Sequence, residues 1–204
     1  ILIGGLSLYP DVRSILLVRY NTDGGLDASF GTAGIVSTPR EVAPVDAPVR
    51  LSLQTDGKPI VATTLDTGDF TDFGVLRYDM TGNLDSTFGD DGIVITDLGT
   101  SDDVASGLAI DESGKIVVAG SYSGPLGADF AVARYSVTTC GDTTGDGRVS
   151  ATDALVTLDA SLGLTACDLC VCDMDDSADV TATDALIVLQ SAVGLDVAAE
   201  CGAC

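Results

Sequence analysis

Over residues 1–139 apolar and polar positions alternate in short runs broken by Gly and Asp, and no helical period appears. In the central stretch the runs cover residues 49–55, 59–65, 73–79 and 92–97, rich in β-branched side chains and separated by Asp-Gly turns. Each predicts a strand. Beyond residue 140 the pattern changes. Leu155, Leu158 and Leu162 form one apolar stripe at helical spacing, and Leu186, Leu189 and Val193 form another. Ser150 and Thr181 stand as N-caps, with Asp153 and Asp184 three residues on in capping boxes, and Gly163 and Gly194 end the helices. The chain therefore reads as multidomain, with an all-β part over 1–139 and a small all-α part over 140–204.

The strand region repeats itself. Leu17-Val18-Arg19-Tyr20 returns as Val75-Leu76-Arg77-Tyr78 and as Val132-Ala133-Arg134-Tyr135. Leu26-Asp27-Ala28-Ser29-Phe30-Gly31 returns as Leu84-Asp85-Ser86-Thr87-Phe88-Gly89, and Asp56-Gly57-Lys58-Pro59-Ile60-Val61 as Ser113-Gly114-Lys115-Ile116-Val117-Val118. A period of about 57 residues means repeated supersecondary units. Four antiparallel strands per unit is a β-propeller blade. The Arg-Tyr strand, the Leu-Asp-x-x-Phe-Gly turn and the Gly-Lys hairpin resemble the delta-60 repeat, a bacterial propeller-like family, across residues 1–139. One unit, 49–97, is whole and two are partial, about 2.5 blades. The expectation is that upstream repeats of the same polypeptide complete a ring, or that the sheets stack as an open array with exposed edges. Phe30 and Phe88 are expected to plug the space between sheets. Asp27 and Asp85 are expected to accept turn N–H groups. Arg19, Arg77 and Arg134 are expected to pair with such aspartates or stack on aromatics.

Two twelve-residue loops carry the candidate chemistry. Residues 142–153 and 173–184 each place oxygen donors at positions 1, 3, 5, 7, 9 and 12, the spacing with which a loop wraps Ca2+. In the first these are Asp142, Thr144, Asp146, the carbonyl of Arg148, Ser150 (directly or through water) and Asp153. In the second they are Asp173, Asp175, Ser177, the carbonyl of Asp179, Thr181 and Asp184. Gly147 suits the sharp turn at position 6, whereas Ala178 does not, because a positive φ costs a residue with a Cβ about 1 kcal/mol. Ser177 also replaces an acid or amide. Two Ca2+ sites are expected, the second weaker. Val149 and Val180 are expected to join the loops by a short β-bridge.

Charge sharpens this picture. The chain has 31 acidic and 9 basic residues, a net −22 that repels nucleic acid and anionic membrane surfaces and attracts cations. Residues 140–204 hold 12 acids against Arg148 alone, so a module of that density should need cations to be stable. All six cysteines, Cys140, Cys167, Cys170, Cys172, Cys201 and Cys204, fall there as well. They repeat with the loops, one before each and a Cys-x-x-Cys after each helix. Disulfides are expected, with a bridge from Cys140 to the C-terminal pair favoured; the two Cys-x-x-Cys pairs as a four-thiolate zinc site are the alternative.

No helix leads into either loop by sequence, so each is half an EF-hand. That duplicated loop–helix pair resembles type I dockerin, a module that plugs secreted proteins into cohesin receptors, over residues 140–204. The resemblance implies a cohesin-like partner read by loop positions 10 and 11 and the following helix face: Ala151 and Thr152 in one repeat, Ala182 and Thr183 in the other. It also implies a link to polysaccharide degradation. The cysteines depart from the dockerin pattern.

The resulting expectation is the C-terminal part of a secreted or cell-surface protein, a calcium-dependent docking module behind a propeller scaffold. No apolar run reaches a membrane span, and no signal peptide opens the chain, so the export signal is expected upstream. The chain has no His and no Trp, and no nucleophile or phosphate-loop motif. An enzyme is not expected here, and any glycoside hydrolase domain belongs upstream. The alternatives are a structural or carbohydrate-binding surface protein whose calcium module only stabilises or sorts it, and a fragment of a glycoside hydrolase system.

Overall fold

The computed structural model describes residues 1–8, 13–40, 47–112, 114–124, 127–136, 141–144, 149–167, 169–175, 177–195 and 197. The chain divides into two compact units, residues 1–111 with 116–135 and residues 112–115 with 136–204. The first unit is all strand: β1 (Leu2–Leu8), β2 (Arg13–Arg19), β3 (Ile35–Pro39), β4 (Arg50–Leu53), β5 (Pro59–Asp66), β6 (Thr71–Arg77), β7 (Ile93–Thr96), β8 (Asp103–Ile110), β9 (Ile116–Gly124) and β10 (Gly127–Tyr135). These make three antiparallel sheets, ordered β1-β2-β3, β4-β5-β6-β7 and β8-β9-β10. By the sequence repeat, the first sheet holds counterparts of strands two to four of the central sheet, and the third holds counterparts of strands one to three. The architecture is that of propeller-like blades, mostly β, with the expected four-stranded unit at the centre.

Burial follows from that stacking. β5 and β6 are buried almost end to end, because sheets cover both faces of the central blade. Ile15, Leu17, Phe30, Val61, Leu65, Leu76, Tyr78 and Ile93 form the core between the first two sheets. On β10 the apolar residues of one face lack a cover, and Phe130 is 81% and Val132 58% exposed. The same hydroxyl contact closes both seams. Tyr78 donates its hydroxyl to Thr38 Oγ1 at 2.8 Å, and one repeat later Tyr135 and Thr96 share a hydrogen bond at 2.8 Å.

The Leu-Asp-x-x-Phe-Gly turn is a clasp built twice. Arg19 Nε reaches Asp27 Oδ2 at 2.8 Å, Ser29 donates to Asp27 Oδ1 from backbone and hydroxyl, and the guanidinium lies 4.4 Å from the centre of the Phe30 ring. Arg77 repeats this with Asp85 (2.8 Å), Thr87 and Phe88 (4.8 Å). Phe30 and Phe88 are both buried, as the repeat suggested. Glycine ends the turn because a Cβ on Gly31 or Gly89, at φ 56° and 59°, would fall 2.3 Å from a backbone carbonyl. Arg134 instead pairs with Asp111 at 3.0 Å, more exposed and outside any such turn.

The second clasp is the more buried, with side-chain exposures of 3% for Arg77 and 7% for Asp85. Lys58 Nζ adds a third contact, 2.7 Å from Asp85 Oδ2. Burial opposes ionisation of Asp85, but Lys58, the Thr87 hydroxyl and Arg77 outweigh it and hold the carboxyl at about 2, down from 3.8. A lowered folded-state pKa gives stability that is complete above the unfolded value and is lost as pH falls through the folded one. The window is therefore pH 4 to about 2. Because Lys58 is partly solvated, the linked stability is discounted to about 1–2 kcal/mol. Asp85→Asn additionally strands Arg77 and is expected to cost about 2–4 kcal/mol in urea unfolding followed by tyrosine fluorescence at pH 7. It should also flatten the acid limb between pH 4 and 2. Asp27→Asn, at the exposed clasp, should cost clearly less; equal losses from the two would refute the burial argument.

Candidate functional site

The second unit holds α1 (Ala151–Ser161), α2 (Leu169–Cys172) and α3 (Ala182–Ala192). Ser150 caps α1 and Thr181 caps α3, each with the full capping box to Asp153 or Asp184. Gly163 and Gly194 follow the helices at φ 71° and 78°, the left-handed C-terminal geometry. Helix α2 is one turn leading into the second loop, an element absent from the sequence expectation. A disulfide between Cys167 and Cys172 spans it. By loop size this bridge stabilises by about 2 kcal/mol. It also removes Cys167 from the four-thiolate alternative. Cys140, Cys201 and Cys204 lie outside the described residues, as does the side chain of Cys170, so the favoured Cys140 bridge falls outside them too.

The unit's core is small and acidic. Ala154, Val171, Cys172, Met174, Ala185 and Val188 are buried, and so are Asp142, Asp153, Asp173 and Asp184. These four aspartates are positions 1 and 12 of the two loops. In the first loop Asp153 is fully buried, accepting from Ser150 backbone (2.8 Å) and hydroxyl (2.7 Å) and from the Thr144 N–H (2.9 Å). Burial raises its pKa, but these hydrogen bonds win and hold it below the usual carboxylate value. Thr144 Oγ1 approaches Asp142 Oδ1 at 3.5 Å. Asp146, Gly147 and Arg148 lie outside the described residues.

The second loop is described at all five of its expected donor side chains and at the Asp179 carbonyl. A carboxylate oxygen from each of Asp173, Asp175 and Asp184 lies within 4.8 Å of the other two. Asp173 accepts from the backbone of Ser177 (3.0 Å) and Ala178 (2.7 Å). Burial works against its ionisation, yet these N–H groups bring its pKa below normal. Asp184 accepts from Met174 N–H (2.7 Å) and from Thr181 backbone and hydroxyl (2.7 and 2.8 Å). Ser177 Oγ donates to the Asp179 carbonyl at 3.2 Å. The structure thus gathers positions 1, 3 and 12, and ties Ser177 and Thr181 into the loop and the helix cap. Hard oxygens converging in this way suit a divalent cation such as Ca2+. Among the described residues no ion pair reaches Asp153, Asp173 or Asp184.

Ala178 adopts φ 68°, the left-handed turn that position 6 was expected to demand. Val149 packs beside Met174 and Val188, but among the described residues no bridge joins it to Val180. The Ala-Thr pairs Ala151/Thr152 and Ala182/Thr183 are exposed in both repeats. The apolar stripes turn away from the core. Leu155, Leu158 and Leu162 are 57%, 38% and 66% exposed, and Leu186, Leu189 and Val193 are 53%, 42% and 68% exposed. The buried faces are instead Ala154 and Thr157 on α1 and Ala185 and Val188 on α3. Leu164 and Leu195, which the stripes did not include, extend the exposed faces at 74% and 57%. The same 31-residue offset that pairs the loops also pairs these two leucines.

A family model described as a domain of unknown function (DUF5122) beta-propeller matches residues 1–30 and 54–88. Those segments carry β1, β2 and the first clasp, then β5, β6 and the second. No curated protein and no solved structure matches the chain.

The strain at Ala178 is open to a direct check. Ala178→Gly removes the left-handed penalty at the expense of some unfolded-chain entropy, and is expected to stabilise the helical unit by up to about 1 kcal/mol. Urea unfolding followed at the helical circular-dichroism band reads this, since the helices lie in that unit. A loss of stability would show that the loop does not hold position 6 in that turn.

Proposed function

We propose that this chain is the calcium-dependent docking part of a secreted or cell-surface protein, a dockerin-like module attached to a propeller-type repeat scaffold. The observation that carries the reading is the duplicated apolar face of the helical unit. Leu155, Leu158 and Leu162 on α1, and Leu186, Leu189 and Val193 on α3, are exposed at matching places beside exposed Ala-Thr pairs. Helices whose apolar stripes face solvent rather than core indicate an interaction surface. Duplication gives two equivalent surfaces for one partner, which on this reading is a cohesin-like domain.

Calcium supplies the order that the surface needs. The helices start at the loops, with Asp153 and Asp184 serving both as position 12 ligands and as capping residues. On this reading a Ca2+ in each loop neutralises the converging carboxylates and fixes the first turn of each helix. The Cys167–Cys172 bridge fits an oxidising compartment, and polysaccharide breakdown is the process such docking serves.

The test is calorimetric titration of the chain with a panel of cohesin domains, in calcium and in chelator. Binding is expected in calcium and lost in chelator. Leu158→Asp alone should leave binding through the other face, whereas Leu158→Asp with Leu189→Asp should weaken it more than about tenfold. Calcium uptake without binding to any cohesin would favour a module that only stabilises or sorts the protein, and would overturn the docking assignment.

A further inference from the structure

A second group of carboxylates lies in the strand unit, where the third sheet packs on the central one. Asp72 is the second residue of β6, Asp97 follows β7 and Asp103 opens β8, and an oxygen from each lies within 4.8 Å of the other two. Asp72 is 5% exposed and Asp103 fully buried, while Asp97 is exposed. The two buried groups are only half satisfied. Thr67 donates to Asp72 Oδ2 at 2.7 Å and Leu98 N–H to Asp103 Oδ2 at 2.7 Å. The other oxygen of each, Asp72 Oδ1 and Asp103 Oδ1, is buried with no hydrogen-bond partner. Among the described residues no Lys or Arg pairs with any of the three.

Such an arrangement costs free energy as it stands. A buried carboxylate oxygen without a donor loses its hydration uncompensated, and like charges this close repel. Burial, and then the neighbouring Asp72, Asp97 and Asp102, raise the Asp103 pKa against the pull of the Leu98 N–H. The three positions are not acidic in every unit, although Asp72 recurs as Asp129 one unit later. One unit earlier, the positions matching Asp72 and Asp97 hold Ser14 and Pro39. The third position, matching Asp103 at the offset that pairs Lys58 with Lys115, is Asp46, which lies outside the described residues.

We propose that Asp72, Asp97 and Asp103 hold a divalent cation, Ca2+ by its all-oxygen donors, that fastens the third sheet to the central one. The orphaned oxygens of Asp72 and Asp103 come from the two sheets and supply its buried ligands. Asp97 supplies the third at the solvent side, where water can complete a Ca2+ shell of six to eight oxygens. The site is separate from the two loops of the helical unit and stands or falls independently of them.

Tyrosine makes it testable in the full chain. The chain has no Trp, and its Tyr and Phe residues all precede residue 136. Tyr122 is the register partner of Asp103, and Tyr135 shares a hydrogen bond with Thr96, the neighbour of Asp97. Terbium, bound in place of calcium and excited through tyrosine, is therefore expected to emit and to be displaced by Ca2+. Asp72→Asn with Asp103→Asn should weaken that Ca2+-competed emission more than about tenfold, and equilibrium dialysis should show one Ca2+ equivalent fewer. In chelator the double variant should unfold no earlier than the parent, since it relieves repulsion; in calcium its tyrosine-monitored midpoint should no longer rise. Emission that persists in the variant, or an unchanged Ca2+ count, would overturn the proposal. So would a parent whose tyrosine-monitored transition ignores calcium, which would leave the cluster as carboxylates sharing protons.

Discussion

Buried aspartate is the constraint on which both units depend. A carboxylate out of water must find N–H donors, a countercharge or a proton, and this chain buries Asp72, Asp85, Asp103, Asp142, Asp153, Asp173 and Asp184. Among the described residues side-chain cations reach Asp85 but not Asp72, Asp103, Asp153, Asp173 or Asp184. Asp85 receives two, Arg77 and Lys58, and its lowered pKa records the result. Asp153 and Asp173 are satisfied by backbone N–H groups and hydroxyls, an arrangement that dictates local chain geometry. Asp72 and Asp103 are satisfied at one oxygen each. The three solutions differ in one respect, where the compensating positive charge comes from.

The source of that charge explains how the repeated clasp is held together. In the clasp, one guanidinium covers a phenyl ring, pairs with an aspartate and, for Arg19, reaches Met80 O across the seam at 2.7 Å. Glycine lets the turn pass within contact of the next strand, so the phenylalanine drops between sheets. Sequence order thereby becomes blade spacing. Without the Asp the Arg would be a buried orphan, and without the Arg the ring would lose its lid.

Much of this was legible in the sequence, because period-two alternation, Asp-Gly turns and the Leu-Asp-x-x-Phe-Gly motif are local and repeated. The caps at Ser150 and Thr181 were legible for the same reason, as was the left-handed turn at Ala178. Three features were not. A helical stripe such as Leu155-Leu158-Leu162 is the same string whether it faces core or solvent, and only packing against Ala154 and Val188 decides. The pairing of Cys167 with Cys172 depends on α2, a single turn too short for any periodicity to reveal. Asp72, Asp97 and Asp103 come from separate strands of two sheets. Their trace in the sequence is scattered: Asp72 has Asp129 one unit later and Asp103 has Asp46 one unit earlier, while Asp97 stands where Pro39 does.

The two halves of the helical unit are alike in surface and unlike in loop. Both helices present leucines and an Ala-Thr pair from the same positions, so on the docking proposal the two faces are equivalent. The loops that order them differ: the second spends strain on Ala178 at φ 68° and places Ser177 where an acid or amide would bind more strongly. If calcium sets the start of each helix, the first face is complete at lower calcium than the second. A partner that arrives at limiting calcium then meets one competent face, and at higher calcium two. The duplication would in that case yield a graded choice of orientation, with the grading written in a single left-handed alanine.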